Sequence, residues 1–356
     1  MKSVVEKAVA ELFTLQQEYG GTEKPVNTIT PLVSVMIATY MQEAYIKQCL
    51  EGVLMQQTDF PFEIIIGEDG STDDTAKICM DYAERFPDKI RLFIRDRNLS
   101  QFKNPDGTVT RFNGLWNRMS ARGTYIAFCD GDDYWTDPLK LQKQVRYMQS
   151  HPDCGMCYTR ARNYHQNTDS YGDTIGGPGE NLHDFMPDNP APTLTVLIRR
   201  DIYENYELQI RPITKKWRMG DYPMWLYFAI NSKIHFIDDI TATYRILESS
   251  LSHFRCYADK LRFVLSTLEV QCYFNDIYGL NYWNYHVRLR LFALRLAVYQ
   301  NDETAIKKWR KEVLHSAFDR RSSLKNRFKS LTSAIMPRTM SRRSNAKRKA
   351  KYERHP

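Results

Sequence analysis

No stretch of this 356-residue chain stays apolar for the ~18 residues that a membrane-spanning helix needs. That absence sets aside the helical membrane enzymes. The N-terminus also lacks the unbroken apolar centre of a secretory signal. Instead Val5, Ala8, Val9, Leu12 and Leu15 recur at helical spacing, with Glu6, Lys7 and Glu11 between them. An amphipathic helix is expected over residues 1–19 and a linker to residue 30, and the chain is expected to stay in the cytoplasm. No internal repeat is evident. No glycine-rich phosphate loop with Arg and Lys stands near the N-terminus, which argues against a nucleotidyltransferase. The seven cysteines (Cys49, Cys79, Cys129, Cys154, Cys157, Cys256 and Cys272) are odd in number and irregularly spaced, so no disulfide framework is expected. Cys154-Gly155-Met156-Cys157 has the C-x-x-C form, which admits zinc or redox chemistry. No second pair follows at finger-like distance, and the segment reads as a strand with two small buried residues.

What is present is a near-neutral body with a basic end. Residues 318–356 carry 13 Lys/Arg against two acids, a charge of +11, while the rest of the chain sums to −3. The partner question raised by the net charge of +8 therefore concerns the tail. There Leu324, Phe328, Leu331 and Ile335 recur at helical spacing with Lys325, Arg327 and Lys329 between them, ahead of Pro337. Such a basic amphipathic helix suits the interface of an anionic membrane. It also reads as a helix packed on its own domain. The run from Arg342 to Arg354 is too polar to pack and is expected to be disordered. No base-reading element is seen, so nucleic acid is not an expected partner.

Residues 32–149 alternate strand and helix signals. Strands are expected over 32–39, 62–67, 89–95 and 124–129. Helices are expected over 43–56, 75–85 (after a Ser71-Thr72-Asp73-Asp74 cap signal), 112–121 and 138–149. This order implies a mainly parallel sheet with helices on both faces, and ligands at the carboxyl ends of its strands. Three polar clusters fall at such ends: Thr39-Tyr40, Glu68-Asp69-Gly70-Ser71, and Asp130-Gly131-Asp132-Asp133. Residues 161–192, punctuated by glycine and proline, read as a long mobile loop. A strand is expected over 194–198, a buried helix over 217–231, short strands over 233–237 and 242–246, and helices from residue 255 onward.

Three carboxylates at the end of the apolar run 124–129 repel one another and lose solvation. A divalent cation relieves both costs, and hard ions such as Mg²⁺ and Mn²⁺ take oxygen ligands and share them with phosphates. The segment thus reads as a metal–diphosphate platform.

Val33-Ser34-Val35-Met36-Ile37-Ala38-Thr39-Tyr40, then Glu68-Asp69-Gly70-Ser71-Thr72-Asp73-Asp74-Thr75, then Asp130-Gly131-Asp132-Asp133, in this order, resemble the family 2 inverting glycosyltransferases of the non-processive, bacterial surface-glycan type. The resemblance covers residues 31–250 and implies the GT-A fold: an α/β, Rossmann-like mixed sheet flanked by helices. Residues 31–149 would form the nucleotide-binding half and 150–250 the acceptor half. A helical C-terminal extension (251–317) and the basic tail (318–356) would follow. The resemblance implies that Tyr40 flanks the nucleotide base, Thr39 lines its pocket and Asp69 accepts a hydrogen bond from the base, for uracil its N3–H. Glu43, Asn117 and Gly131 join the donor-binding set, and Arg111 faces the nucleotide or its diphosphate. Asp130 falls near the ribose and donor sugar, Asp132 ligates Mn²⁺ or Mg²⁺, and Asp221 is the catalytic base. Tyr244-Arg245 and His253 match the segment that closes over the diphosphate, where His253 approaches the metal. Met41 and Glu68 depart from the family's usual Asn and Asp. Gly220 replaces the first carboxylate of its Glu-Asp base motif. The Q-x-x-R-W motif of processive synthases is absent, which implies transfer of a single sugar.

Each residue also has a plainer reading. Asp69 suits a turn and Ser71 a helix cap. Asp133 reads as a support of the loop, not a ligand. Asp221 reads as an N-cap of a helix over 222–231, Trp217 and Trp225 as core, and a lone His such as His253 as structural. The expected function is metal-dependent, inverting transfer of one sugar from a nucleotide sugar, with UDP as carrier, to a hydroxyl of a glycan or lipid-linked acceptor in surface polysaccharide synthesis. The alternative is a non-catalytic nucleotide-sugar-binding subunit. The location expected is cytoplasmic or peripheral on the inner face of the membrane.

Overall fold

The computed structural model describes residues 17–21, 29–99, 102–103, 109–110, 112–247, 257–319 and 323–337, with isolated positions at 7, 10, 13 and 339. The chain divides into two compact units, one of Met1–Lys216 with Met224–Leu247, the other of Trp217–Pro223 with Glu248–Pro356.

The first unit is built on the apolar, β-branched runs. Strand β1 (Val33–Thr39), β2 (Phe62–Glu68) and β3 (Ile90–Ile94) are near-continuously apolar and buried, as strands covered on both faces must be. With β6 (Tyr125–Phe128) they form a parallel half-sheet in the order β3-β2-β1-β6. Helices α1 (Ile46–Leu54), α2 (Thr75–Arg85), α3 (Phe112–Met119) and α4 (Lys140–Ser150) cross over between strands. α1 turns Ile46, Cys49, Leu50 and Val53 into the core that Val35, Ile37, Ile64 and Ile66 supply from the sheet. Next to β6 the sheet turns mixed. β10 (Leu197–Arg199) runs antiparallel to both β6 and β8 (Cys154–His165). β11 (Lys233–Ile246) lies parallel to β8 with register shifts near Phe236 and Ile240, and β7 (Tyr134–Trp135) closes the order. The expected α/β class and GT-A-type sheet are therefore present. A short pair, β4 (Phe102–Lys103) with β5 (Val109–Thr110), stands apart.

At the amino ends of the parallel strands Glu63 is wholly buried. It accepts hydrogen bonds from Ser34 Oγ at 2.6 Å, Arg122 N at 2.9 Å and Arg122 Nε at 2.8 Å, with Arg91 Nη1 at 3.5 Å. One carboxylate thus ties β1, β2 and β3 to the turn before β6. Along the outer side of β3, Glu18 pairs antiparallel with Phe93, and Tyr19 N donates to Leu92 O at 2.7 Å. The helix expected over 1–19 lies largely outside the described residues, and its last two positions are extended.

Residues 161–192 are not the open loop that their glycines and prolines suggest. β8 continues to His165 and folds back through β9 (Ser170–Ile175), with Tyr164 opposite Tyr171 and Arg162 over the Tyr171 ring at 4.8 Å. Helix α5 (Leu182–Phe185) follows, closed by an Asn181–Asp184 capping box. Cross-strand ring and cation pairs stabilise a ribbon that buries little, so hydropathy alone does not mark it. Cys154 and Cys157 are buried in β8, as small core residues.

After α6 (Arg200–Ile210), helix α7 (Asp221–Asn231) begins four residues later than its apolar run suggests. The second unit contains α8 (Tyr257–Tyr278), α9 (Asn284–Gln300), α10 (Glu303–Phe318) and α11 (Leu324–Ile335). Val287, Leu291, Leu294, Val298, Ile306 and Val313 share a core with Ala334 of α11. Arg310 Nε and Arg327 Nε donate to Ala334 O and Ala317 O at 2.6 and 2.9 Å. The helix expected in the tail is thus packed on its own unit through Ser330, Ser333 and Ala334, while Phe328 and Ile335 face outward. The Arg342–Arg354 run lies outside the described residues.

Candidate donor and metal site

The carboxyl ends of β1, β2 and β6 meet at one place because their ladder continues past the strands. Asp69 N donates to Thr39 O at 3.1 Å, and Gly131 N to Ala38 O at 3.0 Å. Thr39, Tyr40, Asp69 and the Asp130–Asp133 loop are therefore brought together. Thr39 is buried and its Oγ1 donates to Gln42 Oε1 at 2.8 Å. Tyr40 is 40% exposed, free to offer a ring face. Asp69 is fully buried and fixed by Leu99 N, which donates to its Oδ1 at 3.0 Å. Glu68 shapes the same turn by accepting from Gly70 N at 3.2 Å and Ser71 N at 2.8 Å. Gly70 sits at φ +74, and an added Cβ there would lie 2.5 Å from the Arg97 backbone.

The acidic loop is held tightly. A Cβ on Gly131 would lie 2.4 Å from Gln42 Oε1 and 2.9 Å from the Thr39 side chain, so the backbone approaches β1 as only glycine permits. Asp133 is buried and its Oδ1 accepts from Arg245 N at 2.8 Å. Arg245 Nε donates to Asp132 O at 2.8 Å, and its other nitrogens reach Gln48 and Gln166. Its guanidinium lies 4.8, 5.3 and 5.4 Å from the rings of Tyr45, Tyr134 and Tyr164. Arg245, expected over the diphosphate, is thus engaged in fixing the loop. Gln42, Gln48 and Gln166 are not singled out by the sequence, because nothing in its periodicity marks a polar residue that will meet Arg245 or the acidic loop.

Burial pushes the Asp132 carboxyl above the usual carboxylate range, against hydrogen bonding by Gln42 and the charge of Arg245. Burial and the neighbouring Asp132 charge push Asp133 well up. Among the described residues no three ligating His, Cys, Asp or Glu side chains converge. A hard divalent cation nonetheless suits the donor set. The oxygens that this loop offers are carboxylates, and such ions take oxygen ligands and complete their shell with water and substrate phosphate. Asp132 could hold one, with Asp130 exposed beside it.

Other expected members are placed differently. Glu43 spans to the start of α2, where its Oε2 accepts from Asp74 N at 2.9 Å. Asn117 is wholly buried under β1 and donates to Ile37 O at 2.8 Å, so it supports the strand from behind. Asn113, one turn earlier, does the same for Gly67 O at 2.8 Å. Arg111 and His253 lie outside the described residues. Asp221 is the half-buried first residue of α7, in the Trp217–Pro223 segment that counts with the second unit.

The family model for glycosyl transferase family 2 matches residues 34–206. An uncharacterized protein of Mycobacterium tuberculosis is 33% identical over 237 residues, which is 65% of this chain and 63% of that protein. The chain therefore matches less than two thirds of that relative's length. A Bacillus subtilis protein named for teichuronic acid biosynthesis as a glycosyltransferase, TuaG, is 28% identical over 224 residues, 62% of this chain and 82% of its own. Among solved structures, S. aureus TarS 1–349 in complex with UDP-GlcNAc is similar with a TM-score of 0.57 at 15% identity, covering 88% of this chain and 92% of that one. The mannosyltransferase PcManGT from Pyrobaculum calidifontis, in complex with GDP-Man and Mn²⁺, gives 0.50 at 14% identity over 94% of each chain. At these identities the likeness concerns the fold.

Proposed function

The chain belongs to the family 2 glycosyl transferases, with their GT-A fold, and from that premise we propose that it transfers one sugar, with inversion, from a UDP-sugar to a hydroxyl of a glycan or lipid-linked acceptor in surface polysaccharide synthesis. The observation that carries this reading is the convergence of Tyr40, Asp69 and the Asp130–Asp133 loop at the ends of three adjacent parallel strands. The names of TuaG and of TarS with UDP-GlcNAc support the acceptor class and the donor.

In this reading Tyr40 flanks the base, Thr39 lines its pocket and the fixed carboxylate of Asp69 accepts from it. Asp132 holds Mn²⁺ or Mg²⁺, which supplies positive charge to the diphosphate. The acceptor oxygen bonds to the anomeric carbon on the face opposite the departing group. The bond from that carbon to the diphosphate oxygen breaks and its electron pair leaves with the nucleoside diphosphate, so configuration inverts. Asp221 takes the hydroxyl proton, a service worth about 10²–10⁴-fold in rate. The absence of an uninterrupted apolar run of span length and of the Q-x-x-R-W motif supports a cytoplasmic or peripheral, non-processive enzyme.

A thermal-shift screen of nucleotides and nucleotide sugars, with and without Mn²⁺, tests the donor half, since a ligand stabilises the fold it binds. The expected result is a Mn²⁺-dependent rise with UDP and one UDP-sugar, lost in Asp132→Ala. Asp221→Asn should keep that rise and lose turnover. Unchanged Mn²⁺-dependent UDP affinity in Asp132→Ala would refute the metal assignment, and near-normal turnover in Asp221→Asn the base.

A further inference from the structure

The helical unit holds a cleft that the donor chemistry does not use. It has a volume of about 600 Å³ and lies between α9 and α11, beside the turn that precedes α9. Arg288 and Arg295 line it from α9, and Lys325 and Lys329 from α11. No carboxylate is among the lining residues. Asn326 Nδ2 donates to Asn284 Oδ1 at 2.7 Å, joining the two helices. Tyr282 and Trp283 line the turn, and the guanidinium groups of Arg288 and Arg295 lie 5.6 and 4.9 Å from the Tyr285 and Phe292 rings. Four like charges around one concavity make a field that favours an anion, and Arg and Lys together suit phosphate oxygens.

The helix α11 that lines the cleft also exposes apolar side chains. Phe328 is 71% exposed and Ile335, two turns on, 57%, with Met336 at 58%. Residues 338–356 then add eight Lys/Arg against one acid. Trp and Tyr beside a cationic patch, with apolar side chains at its rim, match the layered chemistry of a bilayer surface.

We propose that this cleft takes the phosphate of an anionic lipid headgroup, with Phe328 and Ile335 entering the interfacial layer. A soluble phosphate or a nucleic-acid backbone would leave the exposed apolar stripe without a use. The inference deepens the reading above for its lipid-linked acceptor, one of the two acceptor classes proposed, by naming where the enzyme meets the membrane. It is tested separately from donor binding.

The experiment is co-sedimentation of the full chain with phosphatidylcholine vesicles, with and without phosphatidylglycerol. The chain is expected to sediment with the anionic vesicles only. Arg288→Glu with Lys329→Glu should lower the partition at least ~10-fold, since each cation near such a surface is worth about 1 kcal/mol. Lys347→Glu with Lys349→Glu, an equal change of charge outside the cleft, should lower it less. Phe328→Ser should also weaken binding, and the UDP–Mn²⁺ thermal shift should persist in every variant. Arg288→Gln, a milder change at an exposed position, gives the same readout if the double variant misfolds. Equal losses for the two charge pairs would overturn the proposal. So would indifference to anionic lipid. Stabilisation by inorganic pyrophosphate or a short RNA that is lost in the cleft variant, without vesicle binding, would replace it with a soluble ligand.

Discussion

Met41 follows Tyr40 and adopts φ +55, the left-handed region that Asn tolerates better than Met. The family resemblance puts Asn at this position, and the backbone supplies the physical reason. Met41 Sδ instead accepts weakly from Thr72 N at 3.4 Å. Met41→Asn is expected to raise stability by about 1 kcal/mol, measured by urea unfolding, because a left-handed conformation costs an ordinary residue roughly that much. A second residue works against the fold at low pH. Lys140 is wholly buried, with Nζ 4.2 Å from the Trp135 ring centre and 2.9 Å from Gln144 Oε1. Burial pushes its pKa down to about 7 from an ordinary 10.5. Between those values the unfolded chain binds a proton that the folded chain does not, so this group makes stability rise with pH across that window, and the penalty is full below about 7. In Lys140→Met the rise in melting temperature from pH 6.5 to 9.5 should flatten relative to the parent. An unchanged slope would mean that the ring and amide hold the ammonium without penalty.

Which elements were legible follows from what each buries. β1, β2, β3 and β6 are apolar on both faces, and their order and parallel pairing follow from composition and the helices between them. The end of β8 and all of β9 fall in the 161–192 stretch that reads as a loop, because the ribbon's stability rests on Tyr164, Tyr171 and Arg162 meeting across strands, a relation no local window contains. Likewise the acidic loop was legible as three carboxylates. Its anchoring by Arg245, 112 residues beyond Asp133, was visible only once β11 lay beside β7. The opposite ends of the parallel strands depend on Glu63 in the same long-range way. Glu63→Ala strands Ser34, Arg91 and Arg122 and is expected to cost about 3–5 kcal/mol, as loss of one partner of a buried ion pair does. Urea unfolding measures that cost. UDP affinity at saturating Mn²⁺ should not change, because the site lies at the other ends of the same strands.

At the scale of the whole molecule the division of charge parallels the division of labour proposed for the two units. The first unit carries the three carboxyls of the Asp130–Asp133 loop, two of them, Asp132 and Asp133, pushed up by burial. The second presents cations on α9 and α11 and passes into the most basic stretch of the sequence. Even the short pairing of Glu18 and Tyr19 with β3 acts at this scale. β3 ends the sheet order, and an uncovered border strand offers its backbone to any extended chain that reaches it. Deleting residues 1–20 should therefore leave UDP binding intact while promoting self-association, seen as concentration-dependent light scattering and thioflavin fluorescence on standing. A deletion variant that stays monodisperse would mean that β3 is shielded by other means. On that expectation Glu18 and Tyr19 guard solubility, and how concentrated the enzyme can be kept depends on two residues that take no part in the chemistry proposed for it.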